Sequence, residues 1–175
     1  MFRKILIVLV IGIAGLGLFA ATRPDSFRVE RSITIQASPQ AIFPHLSSPR
    51  NQQAWSPWEK IDPNLDRRFS GAERGVGAIY EWQGNSEVGK GRMEILDRSG
   101  PSRVVIKLDF LEPFEAHNIA EFILQTEGSA TDLTWAMHGP APILARVMHV
   151  FYDMDRMVGD QFETGLKNLK TLAER

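Results

Sequence analysis

The feature that most constrains this chain is an unbroken apolar segment near its start. Residues 5–21 read ILIVLVIGIAGLGLFAA, seventeen residues without a polar side chain, and Arg3 and Lys4 precede them. At about 1.5 Å per helical residue the segment reaches roughly 25 Å, the lower limit for crossing a hydrocarbon core about 30 Å thick. Its apolar surface on every side argues against a helix that packs one face on a soluble core. The segment therefore predicts a membrane anchor or a secretion signal.

The last residues of the segment favour an anchor over a cleaved signal. Signal cleavage needs small residues one and three positions before the cut. Here Ala20 or Ala21 would be paired with the bulky Leu18 or Phe19. We therefore expect an uncleaved anchor, with secretion after cleavage as the alternative.

Charges on both sides of the segment bear on its orientation. Arg3 and Lys4 favour a cytoplasmic N-terminus, whereas Arg23, Arg28 and Arg31 favour the opposite arrangement. Because a short tail before a signal-like core is typical of export, we expect a single-pass protein of the bacterial inner membrane. Its domain would then lie on the periplasmic side.

Composition excludes several classes of protein. The chain has 175 residues, 43% of them hydrophobic, and no cysteine. It therefore cannot form disulfides, thiolate metal sites, a cysteine nucleophile or a lipid-modified cysteine anchor. Twenty basic and twenty-one acidic residues leave a net charge of −1, which argues against nucleic acid as a partner. We divide the chain into an N-terminal transmembrane anchor or signal segment, residues 1–24, and one domain, residues 25–175.

The domain has the pattern of an α+β fold. Alternation predicts a strand over 27–35, and three Ser-Pro steps predict short helical pieces between 38 and 61, the third with Glu59 at a capping-box position. Turn residues at intervals of about ten then separate six predicted antiparallel strands. These lie near 65–70, 76–83, 87–98, 102–110, 115–125 and 130–138. From Pro142 the apolar spacing predicts one long amphipathic helix, bent near Gly159.

At this point the sequence resembles a known superfamily. The resemblance covers roughly residues 27–173 and rests on Ser38-Pro39-Gln40-Ala41-Ile42-Phe43, Trp55-Ser56-Pro57-Trp58, Gly75-Val76-Gly77 and Trp135. These features resemble the START-like, or SRPBCC, superfamily with the helix-grip fold. Its members include the birch-pollen allergen, lipid-transfer domains, polyketide cyclases and the activator of the Hsp90 ATPase. The chain is most similar to bacterial polyketide-cyclase-like proteins. The resemblance implies a curved sheet of about seven strands around a long C-terminal helix.

The resemblance also implies a cavity for hydrophobic ligands between the sheet and the terminal helix. Strand alternation and helix spacing select side chains that would face it. The predicted pocket residues are Trp55, Trp58, Tyr80, Trp82, Met93, Ile106, Leu108, Phe110, Phe122, Trp135, Met137, Met148 and Phe151. Methionine and aromatic side chains make an adaptable lining. The alternative is that these residues only fill a core.

No set of catalytic residues converges in the sequence. Tyr80, His117 and Asn118 are weak candidates for proton transfer or hydrogen bonding, but alternation turns Asn118 inward with Phe122 and turns His117 outward. The four histidines lie far apart, so we predict neither a metal site nor a cofactor.

Three functions follow from these observations. The first is a membrane-tethered module that binds a hydrophobic or lipid-like small molecule. An enzyme of the polyketide cyclase or dehydratase type is the first alternative. A protein-interaction module like the Hsp90 activator is the second, although no protein partner is identified.

Overall fold

One antiparallel sheet of seven strands forms the centre of the computed structural model, which describes residues 2–175. The strand order is β1-β7-β6-β5-β4-β3-β2, so every neighbouring pair except β1 and β7 is consecutive in the chain. The strands are β1 (Ser26–Ile35), β2 (Asp66–Gly71), β3 (Ala78–Gln83), β4 (Lys90–Ser99), β5 (Arg103–Glu112), β6 (Ala116–Glu127) and β7 (Ala130–Pro140). All seven occur where the alternation predicts strands.

Five α-helices and one 3-10 helix accompany the sheet. They are α1 (Phe2–Ala21), α2 (Pro39–Leu46), α3 (Pro49–Gln52), the 3-10 helix Pro57–Lys60, α4 (Ile143–Phe151) and α5 (Met154–Ala173). We call the sheet face that carries α5 the inner face and the opposite one the outer face.

The three Ser-Pro steps start helical pieces, but not through their hydroxyl groups. Pro39, Pro49 and Pro57 stand in the first turns, as predicted. Within residues 2–175, none of the three preceding serine side chains makes a capping hydrogen bond. Fixed proline φ angles therefore set these helix starts.

The predicted single terminal helix is wrong: the structure has two helices. The chain is extended at Tyr152, with φ −121° and ψ 124°, and the Asp153 side chain accepts a hydrogen bond from the Arg156 backbone N–H at 3.0 Å. An aspartate at the cap position favours a new helix start. Gly159 lies inside α5 and not at a bend, and the Arg31 guanidinium occupies the space beside it.

The second helix, α5, packs closely on the inner face along β1. The Phe162 ring stacks on Trp135 with centroids 4.1 Å apart. A Cβ atom at Gly165 would lie only 2.8 Å from Trp135 Cζ3, so the close approach requires glycine. At the start of α5, Arg31 donates to Asp155 Oδ2 at 2.8 Å; at its end, Lys170 donates to the Thr34 carbonyl. The helix therefore covers β1 from Arg31 onward.

The N-terminal helix α1 packs beside α4. By length and composition it could cross a membrane, a test that a secretion signal also meets. Its Ala20 is fully buried, and α4 is the helix that contacts α1. The backbone N–H of Ala141, just before α4, donates to the Asp25 carbonyl at 2.6 Å. The starts of β1 and α4 are thereby held together.

We expect Gly165→Val to destabilise the protein by about 1–3 kcal/mol, because the added side chain forces α5 away from Trp135. Urea unfolding of the full chain in detergent, followed by tryptophan fluorescence, measures this. Lys167→Val is the matched control, because Lys167 is exposed on the same helix. Equal stability of the two variants would contradict the packing role of Gly165.

Candidate functional site

Aromatic rings fill the part of the inner face beneath α5. Trp135 contacts the rings of Trp55, Phe122 and Phe162 at centroid distances of 5.3, 5.1 and 4.1 Å. Trp58 packs edge-on against Trp135 at 5.6 Å. These rings leave the region beneath α5 filled, so a ligand on the inner face has to lie elsewhere.

A second inner-face region lies toward the end of the sheet where β1 begins. Cross-strand pairing aligns Tyr80 with Met93, Met93 with Leu108, and Leu108 with Asn118. Asn118 is four residues from Phe122 on β6, which places this row about 13 Å from the aromatic rings. We define the apolar groove by five side chains of this region: Tyr80, Trp82, Met93, Leu108 and Phe110.

The five groove side chains differ in their burial. Tyr80 and Trp82 are buried, whereas Met93, Leu108 and Phe110 remain half-buried although they pack against the core. The main packing partner of α5 is β1 and that of α4 is α1, whereas these three side chains lie on β4 and β5. The groove is thus a part of the inner face where apolar side chains stay partly accessible.

A glycine and a hydrogen bond fix the position of Trp82 in the groove wall. A Cβ atom at Gly91, on the neighbouring strand, would lie 2.2 Å from Trp82 Cζ2. The indole N–H donates to the Val88 carbonyl at 3.3 Å, and Phe110 packs edge-on at 6.0 Å. The wall is therefore preformed.

Polar groups at the edge of the groove are already paired. Tyr80 Oη donates to Glu59 Oε1 at 2.6 Å, and Arg67 Nε donates to Glu59 Oε2 at 2.6 Å. Burial raises the pKa of Tyr80, and the Glu59 carboxylate raises it further, so the phenol stays protonated. The hydroxyl hydrogen of Tyr80 is therefore engaged in the hydrogen bond to Glu59.

Two buried polar atoms on the inner face have no hydrogen-bond partner among the described residues: Asn118 Oδ1 and Trp135 Nε1. Trp135 belongs to the aromatic rings beneath α5, whereas Asn118 continues the groove row and is 5% exposed. Its amide oxygen packs against Gly139, where a Cβ atom would lie 2.1 Å away. Unpaired buried acceptors are uncommon, so Asn118 Oδ1 is an unsatisfied polar group at the border of the groove.

His117 lies on the outer face, as alternation predicts. Its Nδ1 is 2.7 Å from Asp109 Oδ1, and Lys107 Nζ is 2.9 Å from Asp109 Oδ2. Burial opposes ionisation of Asp109, but Lys107 and His117 together outweigh it and lower its pKa. His117 also borders an open depression of about 600 Å³ on the outer face, with Arg28, Ile119 and His138. The depression is separated from the groove by the sheet.

The structure thus distributes the predicted site residues over four places. Trp55, Trp58, Phe122 and Trp135 form the packed rings, with Ile106 and Met137 buried in the same core. Tyr80, Trp82, Met93, Leu108 and Phe110 form the groove. Met148 is half-buried and Phe151 is 69% exposed, both on α4. Of the three catalytic candidates, Tyr80 and Asn118 share the groove row, and His117 lies on the opposite face.

Sequence reasoning missed the role of Glu59. Its spacing from Ser56 indicated a helix cap, but its carboxylate reaches Tyr80 and Arg67. The signal that could have found it is the inward position of Tyr80, since a buried phenol requires a partner.

Among the described residues, no group of three or more histidine, aspartate or glutamate side chains is arranged so that it could hold a metal ion. The groove is instead built from apolar and aromatic side chains, with one unpaired amide oxygen at its border.

A seven-stranded antiparallel sheet packed on a C-terminal helix, with short helices after the first strand, defines the helix-grip class. The family described as polyketide cyclase/dehydrase and lipid transport matches residues 26–174, and the chain belongs to it. None of the curated proteins searched matches the chain.

Solved structures of similar fold come from plants and bacteria. Major latex-like protein 151 of Panax ginseng is 10% identical, covers 87% of this chain and 100% of its own, and has a TM-score of 0.63. Protein MLL2253 of Mesorhizobium loti is 16% identical over 85% and 98% of the two chains, with a TM-score of 0.62. The Aha1 dimer of Colwellia psychrerythraea is 16% identical over 85% and 96%, with a TM-score of 0.56. At these identities the likeness shows the fold alone.

We expect Lys107→Met to raise the pKa of Asp109, because it removes one of the two side chains that lower it. A lowered carboxyl pKa stabilises the fold above the unfolded-state value near 3.8, and the stabilisation disappears as pH falls through the folded-state value. The variant should therefore be about 0.5 kcal/mol less stable than the wild type at pH 6 and equally stable near pH 2. Urea unfolding at both pH values measures this. Lys60→Met, at an exposed lysine, is the control; a deficit independent of pH would contradict the assignment.

Proposed function

We propose that this protein is a membrane-anchored helix-grip domain that binds one hydrophobic or lipid-like small molecule in the apolar groove. The observation that carries the proposal is the half-burial of Met93, Leu108 and Phe110 on the inner face. Helix α5 packs mainly on β1 and helix α4 on α1, so neither packs mainly on the strands that carry this surface. Accessible apolar surface inside a preformed wall is the usual form of a site for hydrophobic ligands.

The groove also limits the chemistry of the ligand. Its walls are thioether, aliphatic and aromatic groups, which accept ligands of varied shape. The amide oxygen of Asn118 borders them and is unpaired among the described residues. An apolar molecule with a hydroxyl or amide donor therefore fits this groove better than a charged one. Lipid transport in the description of the family agrees with this class.

A binding function is better supported than a cyclase or dehydratase activity. Proton transfer needs a group of suitable pKa within reach of the substrate. The Tyr80 hydroxyl donates its hydrogen bond to Glu59, and His117 pairs with Asp109 on the outer face. Neither group is available to a molecule in the groove. A protein-interaction role like that of the Hsp90 activator has only the shared fold in its favour.

The anchoring part of the proposal assigns α1 to a lipid bilayer. Helix α1 is long and apolar enough to cross it, and Ile5, Ile7, Leu9 and Ile11 are all more than half exposed. We propose a single pass through residues 5–21 with the N-terminus in the cytoplasm and the domain on the opposite side, which in a bacterium is the periplasm.

The groove proposal predicts a one-to-one complex with a hydrophobic molecule. Native mass spectrometry of the full chain, released from detergent after incubation with a total lipid extract, should show one retained adduct. Leu108→Trp should abolish the adduct, because the larger side chain fills the groove.

Ile123→Trp is the matched control, because Ile123 is half-buried on the outer face of the adjacent strand β6. It should retain the adduct. Circular dichroism verifies that both variants fold. A wild-type chain that retains no adduct, or equal retention by the two variants, would overturn the binding proposal.

The anchor proposal predicts that the chain stays in membranes during alkaline carbonate extraction and keeps the full mass of 175 residues. Because the chain has no cysteine, Asp160→Cys on exposed α5 provides one thiol for an impermeant maleimide. Intact spheroplasts should label as strongly as lysed ones. A shortened, extractable chain would show signal cleavage, and labelling only after lysis would reverse the orientation.

A further inference from the structure

Helix α4 exposes an apolar surface that the core of the domain does not use. Ile143, Val147 and Phe151 are spaced by four residues and therefore share one helix face. Ile143 is 49% exposed, Leu144 61%, Phe151 69% and the following Tyr152 58%. We call these four exposed side chains, Ile143, Leu144, Phe151 and Tyr152, the lipid face. A concentration of exposed apolar side chains on one short helix indicates an interaction surface.

The position of α4 is fixed relative to α1. The two helices contact each other, Ala20 of α1 is fully buried, and Leu16 is half-buried. Arg146 of α4 donates from Nη1 to the Arg23 carbonyl at 3.2 Å and from Nε to the Ala141 carbonyl at 2.9 Å. The guanidinium is thus directed toward the junction of the anchor and the domain. The helix lies beside the last turns of α1.

The position of α4 beside α1 indicates a lipid bilayer as the partner of the lipid face. If α1 crosses a membrane, its last turns lie at the boundary between acyl chains and headgroups, and α4 lies beside them. The Arg23 guanidinium stacks on the Phe19 ring at 4.7 Å, an aromatic and cationic pair typical of that boundary. The lipid face is then continuous with the apolar surface of α1.

We propose that α4 is an interfacial helix, with the lipid face in contact with the acyl chains of the bilayer that α1 crosses. The inference rests on the anchoring part of the proposed function and adds a second membrane contact. A single helix followed by a short linker leaves a domain free to rotate, whereas a second contact fixes its orientation.

The orientation places the groove at the bilayer. Helix α4 follows the end of β7, where Pro140 pairs with Ser26 at the beginning of β1. The groove row of Leu108 and Asn118 lies toward this same end of the sheet, and α5 covers the other end. A hydrophobic molecule could therefore pass between bilayer and groove without crossing the full depth of the domain.

Site-directed fluorescence tests the lipid face on the full chain. Leu144→Cys and Phe151→Cys, each labelled with the environment-sensitive fluorophore NBD, are placed in phosphatidylcholine nanodiscs at one chain per disc. Asp160→Cys, on the exposed side of the neighbouring helix α5, is the matched control. Doxyl-labelled phosphatidylcholine should quench positions 144 and 151 by roughly twofold or more, as expected for side chains at the acyl boundary, and leave position 160 unchanged.

The other outcomes overturn the inference and identify what replaces it. Water-like emission at 144 and 151, equal to that at 160, would show that α4 is exposed to solvent. The fluorophore can also report apolar surroundings without being quenched by the doxyl-labelled lipid. If this requires several chains per disc, the lipid face contacts a second copy of the chain. The same emission at one chain per disc would place the face against the domain itself. Retention of the chain in the nanodisc tests the anchoring by α1 separately. A negative result for the lipid face therefore does not contradict the anchor proposal.

Discussion

The contact between Phe162 and Trp135 determines how the rest of this domain can be arranged. Their rings stack at 4.1 Å, and Gly165 lets the helix backbone approach the indole closely. Glycine inside a helix costs about 1 kcal/mol relative to alanine, so its presence here reflects the packing. Helix α5, fixed in this position, covers β1 from Arg31 onward. It does not extend along β1 to the end of the inner face where that strand begins.

The break before α5 has consequences at both ends of the sheet. A continuous helix would extend past Arg31 toward the beginning of β1. Because Asp153 caps a new helix instead, α4 is released to pack beside α1. The position of α4 beside α1, with its exposed apolar side chains, thus follows from a local break. A cap of this kind contributes only about 1 kcal/mol, yet here it decides which surfaces remain accessible.

The sequence predicts the sheet well because its signals are local. Alternation correctly places Asn118 inside and His117 outside, and turn residues mark the strand ends. The helix break was missed because apolar residues recur at helical spacing on both sides of Tyr152, so periodicity alone cannot separate two amphipathic helices. The pairing of Glu59 with Tyr80 was missed for a different reason: it joins residues 21 positions apart. Whether the groove holds a ligand is beyond any sequence pattern, because it depends on which inner-face side chains α5 covers.

The groove can recognise a molecule more readily than it can transform one. Acid–base catalysis requires a group that gains and loses a proton near neutral pH. At the groove, the ionisable side chains already satisfy one another, since Glu59 accepts hydrogen bonds from both Tyr80 and Arg67. The unpaired acceptor, Asn118 Oδ1, belongs to a neutral amide that can accept a hydrogen bond but cannot transfer a proton. Hydrogen bonding without proton transfer is what selective binding needs.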